Sequence, residues 1–283
     1  MTQDTGQAVA PSRTLAPHIV RAYNFATESD NKIHDDEIAA KLGFTGGLVP
    51  GVALYAYMTV PMVRDFGADW IARGTMSAKF IQPIYDGEAA TVRATVESEA
   101  PLRVKLDLFN PAGTLCAVGA AGMPEQHLAV DAARYLQRSM PTTRFEPRVS
   151  AIPVGTPFGS LKVDRLRPAH AAPPTTILDE LLEKLPVYSG TNAPWHPALL
   201  PVRANRLLAE NVALGPWIHT ASETMHYALP KSGEEIWLRG FVADSFVKRG
   251  HDMVTLDLVA FGDNDRVLAR ILHTAIIRPA QLG

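Results

Sequence analysis

The chain is almost without cysteine. Cys116 is the only one in 283 residues, so no intramolecular disulfide can form, and a reducing compartment such as the cytoplasm is the expected location. A lone thiol among apolar neighbours reads as a packed core group rather than a reactive one. Concentrated charge of one sign is also missing. Lys and Arg number 27 and Asp and Glu 29, for a net charge of -2. With no basic block, neither nucleic acid nor an anionic membrane surface is an expected partner. The opening MTQDTGQAVAPSRTLAP has no apolar core of the kind a secretion signal needs. The sequence also lacks HExxH, a Cys/His cage, a Gly-rich phosphate loop and GxSxG, so no metal ligand set or familiar nucleophile stands out.

One charge-free stretch, Phe44 to Val63, is long enough to raise the question of a membrane span. It is interrupted by Gly46, Gly47, Pro50, Gly51 and Pro61, and it predicts a buried core helix that begins at Gly51. That helix, VALYAYMTVPMV onward to Phe66, is apolar on every side and must be surrounded. Apolar residues make up 47% of the chain and charged residues 20%, enough for a substantial core.

Around this helix the pattern alternates. HIVRAYNFATES reads as extended. Asp35 to Leu42 reads as a short helix with acids in its first turn, stopped by Gly43. Strands follow at TMSAKFIQPI, AATVRATVES, LRVKLDLF and TLCAVGAAGM, with Asn110-Pro-Ala-Gly113 as the turn between the last two. From Met123 to about Phe158 the chain is rich in Pro, Arg and Ser and reads as a linker wrapped over the surface, with a weak helical patch at AVDAARYLQRS.

The second half repeats the first. WIARGTMSAKFIQP, Trp70 to Pro83, aligns without a gap on WIHTASETMHYALP, Trp217 to Pro230. Each Pro is soon followed by a Gly, Gly87 or Gly233. LVPG before the first long helix parallels LLPV, Leu199 to Val202, and Leu106-Asp107-Leu108 parallels Leu256-Asp257-Leu258. Matches in one order along the chain mark an internal repeat. The expected fold class is α+β, two antiparallel sheets each wrapped around a long helix and joined side by side as a pseudo-dimer. The expected divisions are 1–123 for the first unit, 124–157 for the linker and 158–283 for the second unit. Such a chain is a monomer built as a pseudo-dimer, or a homodimer.

Only the first copy carries a polar cluster. ESDNKIHDDEIAAKLGFTGGLVPG, Glu28 to Gly51, holds Ser29, Asp30, Asn31 and His34, then the short helix, then a Gly/Pro turn onto the long one. The start of a buried helix offers unpaired N–H groups and positive partial charge, which suit a carbonyl oxygen that becomes an oxyanion. A His across the same groove can move a proton or position a water. Gly51 has no side chain, so a substrate can approach its N–H.

This segment resembles the hydratase-2 motif of MaoC-like enoyl-thioester hydratases and dehydratases, many of which are double hotdogs of about this length. Asn31 and His34 keep the motif's spacing, Asp36 matches the acid after the His, Gly43-Phe44 matches its Gly-Phe, and Gly51 matches the glycine that starts the central helix. The departures are Ser29 at the catalytic Asp position, Lys32 at the motif Pro and Pro50 at the His before the glycine. The resemblance implies an acyl-thioester substrate carried on coenzyme A or a carrier protein, with no metal or redox cofactor. It implies His34 as acid/base, Asn31 as its orienting partner and the Gly51 N–H as the carbonyl's donor. Asp30 then takes the carboxylate's place, or the chemistry is altered: thioester hydrolysis, another lyase or isomerase reaction, or acyl binding without turnover.

Other polar residues read as structural. Asp35, Asp36 and Glu37 form the acidic start of the short helix. TTILDELLEKL opens with a capping box at Thr176 and Asp179. On the second long helix Arg206 and Glu210 can pair, and Arg203 is a candidate for a substrate carboxylate or phosphate. His219 and His226 lie seven apart on a strand and are expected on opposite faces, which argues against a shared metal.

Overall fold

The computed structural model describes residues 13–163, 185–189, 193–231 and 233–280. The TTILDELLEKL segment lies outside them except for its last residue, Leu185.

The first half begins with two short strands, β1 (Arg13–Thr14) and β2 (His18–Arg21). The short helix α1 spans Asp36–Lys41, with Asp35 accepting from the Ile38 N–H at its start (3.0 Å). The long helix α2 spans Gly51–Arg73 and is buried without interruption from Val52 to Val63. It kinks at Gly67, whose φ of 61° lies in the left-handed region, so the continuous apolar helix ends at Phe66. Four strands follow: β3 (Thr75–Phe80), β4 (Ala89–Glu99), β5 (Leu102–Phe109) and β6 (Leu115–Met123). They alternate buried and exposed residues over much of their length, as β4 does with Ala90, Val92, Ala94 and Val96 inward.

After β6 the chain runs over the surface of the second half. Tyr135 packs between Phe241 and Phe261, and Phe145 bridges to Val212. Then come β7 (Leu161–Val163), the helix α3 (Leu199–Asn211) and β8 (Ile218–His226), β9 (Ile236–Lys248), β10 (His251–Phe261) and β11 (Val267–Arg278).

All strands join one 11-stranded antiparallel sheet in the order β1-β4-β5-β6-β3-β8-β11-β10-β9-β7, with β2 also on β4. The order β4-β5-β6-β3 is mirrored by β8-β11-β10-β9. Each half thus lays down helix, then four strands, and the two first strands pair at the centre, Thr75 opposite Met225 through Lys79 opposite Ala221. The two expected sheets are therefore continuous. A single large core runs through both halves, and each Val, Leu, Ile or Met it buries contributes roughly 1.5–3 kcal/mol. Tyr55 on α2 reaches across it to the Thr224 hydroxyl on β8 (2.6 Å).

The letter-by-letter alignment of the repeat needs correction. Trp70 closes α2, whereas Trp217 sits in the connector just before β8. The gapless match sets Met76, 2% exposed, on Glu223, which faces solvent. A shift of one residue reverses every side chain on a strand, so the true strand correspondence is out of step with the letters.

The two histidines of β8 also correct the sequence reading. The β8–β11 register slips between His219 and Ala221, where Thr274 and Ala275 are consecutive on β11. This bulge at Thr220 resets the alternation. His219, Ser222, Thr224 and His226 all point to the buried side. Among the described residues no three His, Cys, Asp or Glu are grouped to hold a metal. No described helix is long and apolar enough to cross a membrane.

Candidate functional site

A cavity of about 220 Å³ lies where the start of α2 meets the second half. One wall is the loop before α2: Asn31, Ile33, His34, Phe44 and Leu48 to Gly51. Phe80 to Pro83 and Leu54 form another. The second half closes it with Asn205 from α3, Trp217 to Thr220 at the start of β8 and Ile276 from β11. The lining is mainly apolar and, among the described residues, includes no carboxylate.

His34 is fixed on all sides. Its Nδ1 lies 2.6 Å from the Leu48 carbonyl oxygen. A carbonyl only accepts, so Nδ1 carries the proton and Nε2 is left as an acceptor. Asn31 Nδ2 stands 3.4 Å from that Nε2, a long bond that leaves the lone pair open to a stronger donor. Burial lowers the His34 pKa, opposed by the Leu48 bond, so the ring is neutral at pH 7. Its backbone carbonyl accepts from Asn24 Nδ2 (3.0 Å) and faces Gly47, where a Cβ would stand only 2.1 Å from that oxygen. Gly47 in turn donates its N–H to Asp36 (2.7 Å). Asp36 is thus a latch for the loop.

Asn31 ties this loop to the other half. Its Oδ1 accepts from the Trp217 N–H (3.1 Å) and its Nδ2 donates to the Trp217 carbonyl (3.0 Å). The side-chain amide imitates a strand partner for Trp217. The same Oδ1 caps the 3-10 turn Lys32–His34 through Ile33 (3.4 Å).

Gly51 is the first residue of α2, behind Pro50, which supplies no side-chain cap. Its N–H is among the four with no partner inside the helix, at the positive end of the dipole. The space beside it is occupied from within the protein: a Cβ on Gly51 would stand 2.9 Å from Phe80 Cε2 and 3.0 Å from His219 Nδ1. The missing side chain makes room for these two rings as well as for a ligand.

The remaining sequence candidates fall elsewhere. Asp30 is exposed and outside the lining, and among the described residues no carboxylate meets either ring nitrogen of His34. The expectation of an Asp30–His34 pair is thereby corrected, because the Asn31 cap turns the chain so that Asn31, not Asp30, faces the His. Ser29 Oγ donates to the Asn31 carbonyl (3.3 Å) and stays off the cavity. Arg203 on α3 does not line it either; Asn205, two residues on, does. Arg206 and Glu210 pair on the helix surface at 2.6 Å.

Sequence reasoning missed Asn24, Phe80, Asn205 and His219. The one signal for His219 was polarity at inward positions of a strand, His219, Ser222 and His226, where apolar residues are the norm.

No protein-family model matches the chain, and no curated protein matches it in sequence. Solved structures do. One described as a MaoC domain protein dehydratase, from Chloroflexus aurantiacus, superposes with a TM-score of 0.65 at 10% identity, covering 96% of each chain. A conserved hypothetical protein of Mycobacterium tuberculosis, described as a double hotdog fold, gives 0.60 at 12% identity over 95% of this chain and 96% of its own. The fold is a double hotdog. An oleoyl thioesterase structure from Lactobacillus plantarum shares it at a TM-score of 0.51 and 11% identity, over 96% of this chain and 100% of its own. Structures described as a dehydratase and as a thioesterase thus share this fold, and function has to be argued from the site.

Proposed function

We propose that the protein adds water to, or removes it from, an acyl thioester in the cavity at the start of α2. The observation that carries this reading is His34, half-buried, neutral and pinned as the Nδ1–H tautomer, with Nε2 left as an acceptor that meets only the long Asn31 contact at an apolar cavity. A neutral imidazole held this way is a general base. In hydration, Nε2 takes a proton from water as its oxygen bonds to the β-carbon. The double-bond electrons move to the thioester carbonyl, whose oxygen becomes an enolate held by the Gly51 N–H and the dipole of α2. The imidazolium then returns its proton to the α-carbon. Dehydration is the reverse. The sequence of steps is redox-neutral and closes on one water, one histidine and one backbone donor, while coenzyme A or a carrier protein stays bonded to the acyl chain through the intact thioester. Asn31 orients the ring, and no carboxylate takes part.

Thioester hydrolysis has less support. Its usual device on this fold is a carboxylate on the central helix, and the first acid of α2 is Asp65, exposed and bonded to Arg64 (3.2 Å). The test is loss of enoyl absorbance across a panel of 2-enoyl thioesters. His34→Ala should reduce turnover by at least ~100-fold, the scale of a lost acid/base. An unchanged rate in that variant removes His34 from the chemistry, and thiol release without hydration replaces this reading with hydrolysis.

A further inference from the structure

We infer that His219, from the second half, is a substrate-contacting residue that accepts a hydrogen bond from a hydroxyl on the β-carbon of the acyl chain. The catalytic step rests on the hydration reading above, but the recognition of a hydroxyl does not.

The geometry decides what His219 can offer. Its residue is 6% exposed. Nε2 lies 3.1 Å from the Ala221 carbonyl oxygen and 2.8 Å from Ser222 Oγ. The carbonyl accepts only, so Nε2 carries the hydrogen and Nδ1 is an acceptor. Among the described residues Nδ1 has no partner, although it is closed to bulk water. An unmatched buried acceptor is a standing cost that native structures avoid unless something else fills it. Desolvation holds the ring neutral, with a pKa of about 3.

The ring is also clamped. It stacks on His273 at 4.3 Å between centroids, Ser222 Oγ bridges to His273 Nδ1 (3.1 Å), and Phe80 meets it edge-on at 4.9 Å. The acceptor sits beside Gly51, whose N–H is the proposed donor to the thioester carbonyl. Donor and acceptor side by side match a carbonyl at C1 and a hydroxyl at C3 of one chain. A second buried acceptor, Asn205 Oδ1, has no partner among the described residues and belongs to a residue that lines the same cavity. Polar recognition is thus supplied by the second half, and the proton-transferring histidine by the first.

The test is calorimetric binding of 3-hydroxybutyryl-CoA and butyryl-CoA to the full chain, wild type and His219→Phe. One hydrogen bond corresponds to roughly 2- to 13-fold in affinity. The wild type should prefer the hydroxylated ligand by ~5-fold, and His219→Phe should bring the two ligands within twofold of each other. His219→Gln, which keeps an acceptor, should recover part of the preference, which separates this role from a packing defect. No preference in the wild type, a preference that survives His219→Phe, or no binding of either ligand overturns the inference. A hydroxyl preference with no turnover of enoyl thioesters leaves it standing and sinks the hydration reading. Turnover without the preference does the opposite.

Discussion

The two halves of this protein build the same four strands in mirrored order and then treat their helices and inward positions differently. In the first half α2 is apolar from Val52 to Val63 and is preceded by a loop held by Asn24, Asn31, Asp36 and Gly47. In the second half α3 is shorter, keeps the Arg206–Glu210 pair in solvent, and is followed by a strand that turns four polar side chains, His219, Ser222, Thr224 and His226, inward. The contrast shows how a repeat can divide labour. Strand order and the central β3–β8 pairing preserve the fold, which leaves one half free to shape a helix terminus and a loop and the other free to spend core positions on polar contacts. Asn31 joins the two across the interface through Trp217.

The largest way to break this division is at its closest contact. Gly51→Val places a side chain where Phe80 and His219 already stand. Overpacking costs about 1–3 kcal/mol, and displacement of the helix start should lower turnover by at least ~100-fold while the fold persists by circular dichroism. Next comes the tie between halves. Asn31→Ala leaves both Trp217 backbone groups without their partner and frees the His34 ring. The expected loss is about 1–3 kcal/mol in denaturant unfolding, with a turnover drop of ~10-fold that Asn31→Asp does not repair, since a carboxylate cannot donate to the Trp217 carbonyl.

A smaller effect separates the halves by pH. His219, His226 and His273 belong to the second half, and burial lowers all three pKa values, to about 3 for His219 and about 4 for His226. Folding holds these rings neutral, while the unfolded chain protonates them below 6.5. Their contribution is therefore complete above pH 6.5 and is lost as pH falls toward the folded values, at about 1.4 kcal/mol per pH unit for each ring. Neither nitrogen of His226 has a partner among the described residues. His226→Leu should flatten the acid side of a Tm-against-pH curve between 6.5 and 4 and leave Tm near pH 8 within a few degrees. A curve unaltered by the substitution would remove His226 from this effect.

Much of the fold was legible because it rests on periodicity. The all-apolar run after Gly51 predicts a surrounded helix, and alternation predicts β4, β5 and β6. The Gly/Pro turn before α2 and the placement of Asn31, His34 and Gly51 on one cavity follow from local order along the chain. What was not legible depends on register and distance. A bulge at Thr220 decides which way His219 faces, and nothing local signals it. The gapless repeat match was misleading because α2 runs to Arg73 while α3 ends at Asn211, six residues before Trp217. Asp30 looked like a substitute carboxylate because it neighbours Asn31 in sequence, but the Asn31 cap sends it to solvent. Phe80 and Asn205 reach the site only through tertiary packing.

The claim at the centre of this account is that a single histidine, without a carboxylate, carries the proton. Its most direct test is kcat/KM for hydration of one 2-enoyl thioester by His34→Ala and Asp30→Asn side by side. The account predicts a loss of at least ~100-fold for His34→Ala and a value within twofold of wild type for Asp30→Asn. A large loss in Asp30→Asn, or an unchanged rate in His34→Ala, would contradict it.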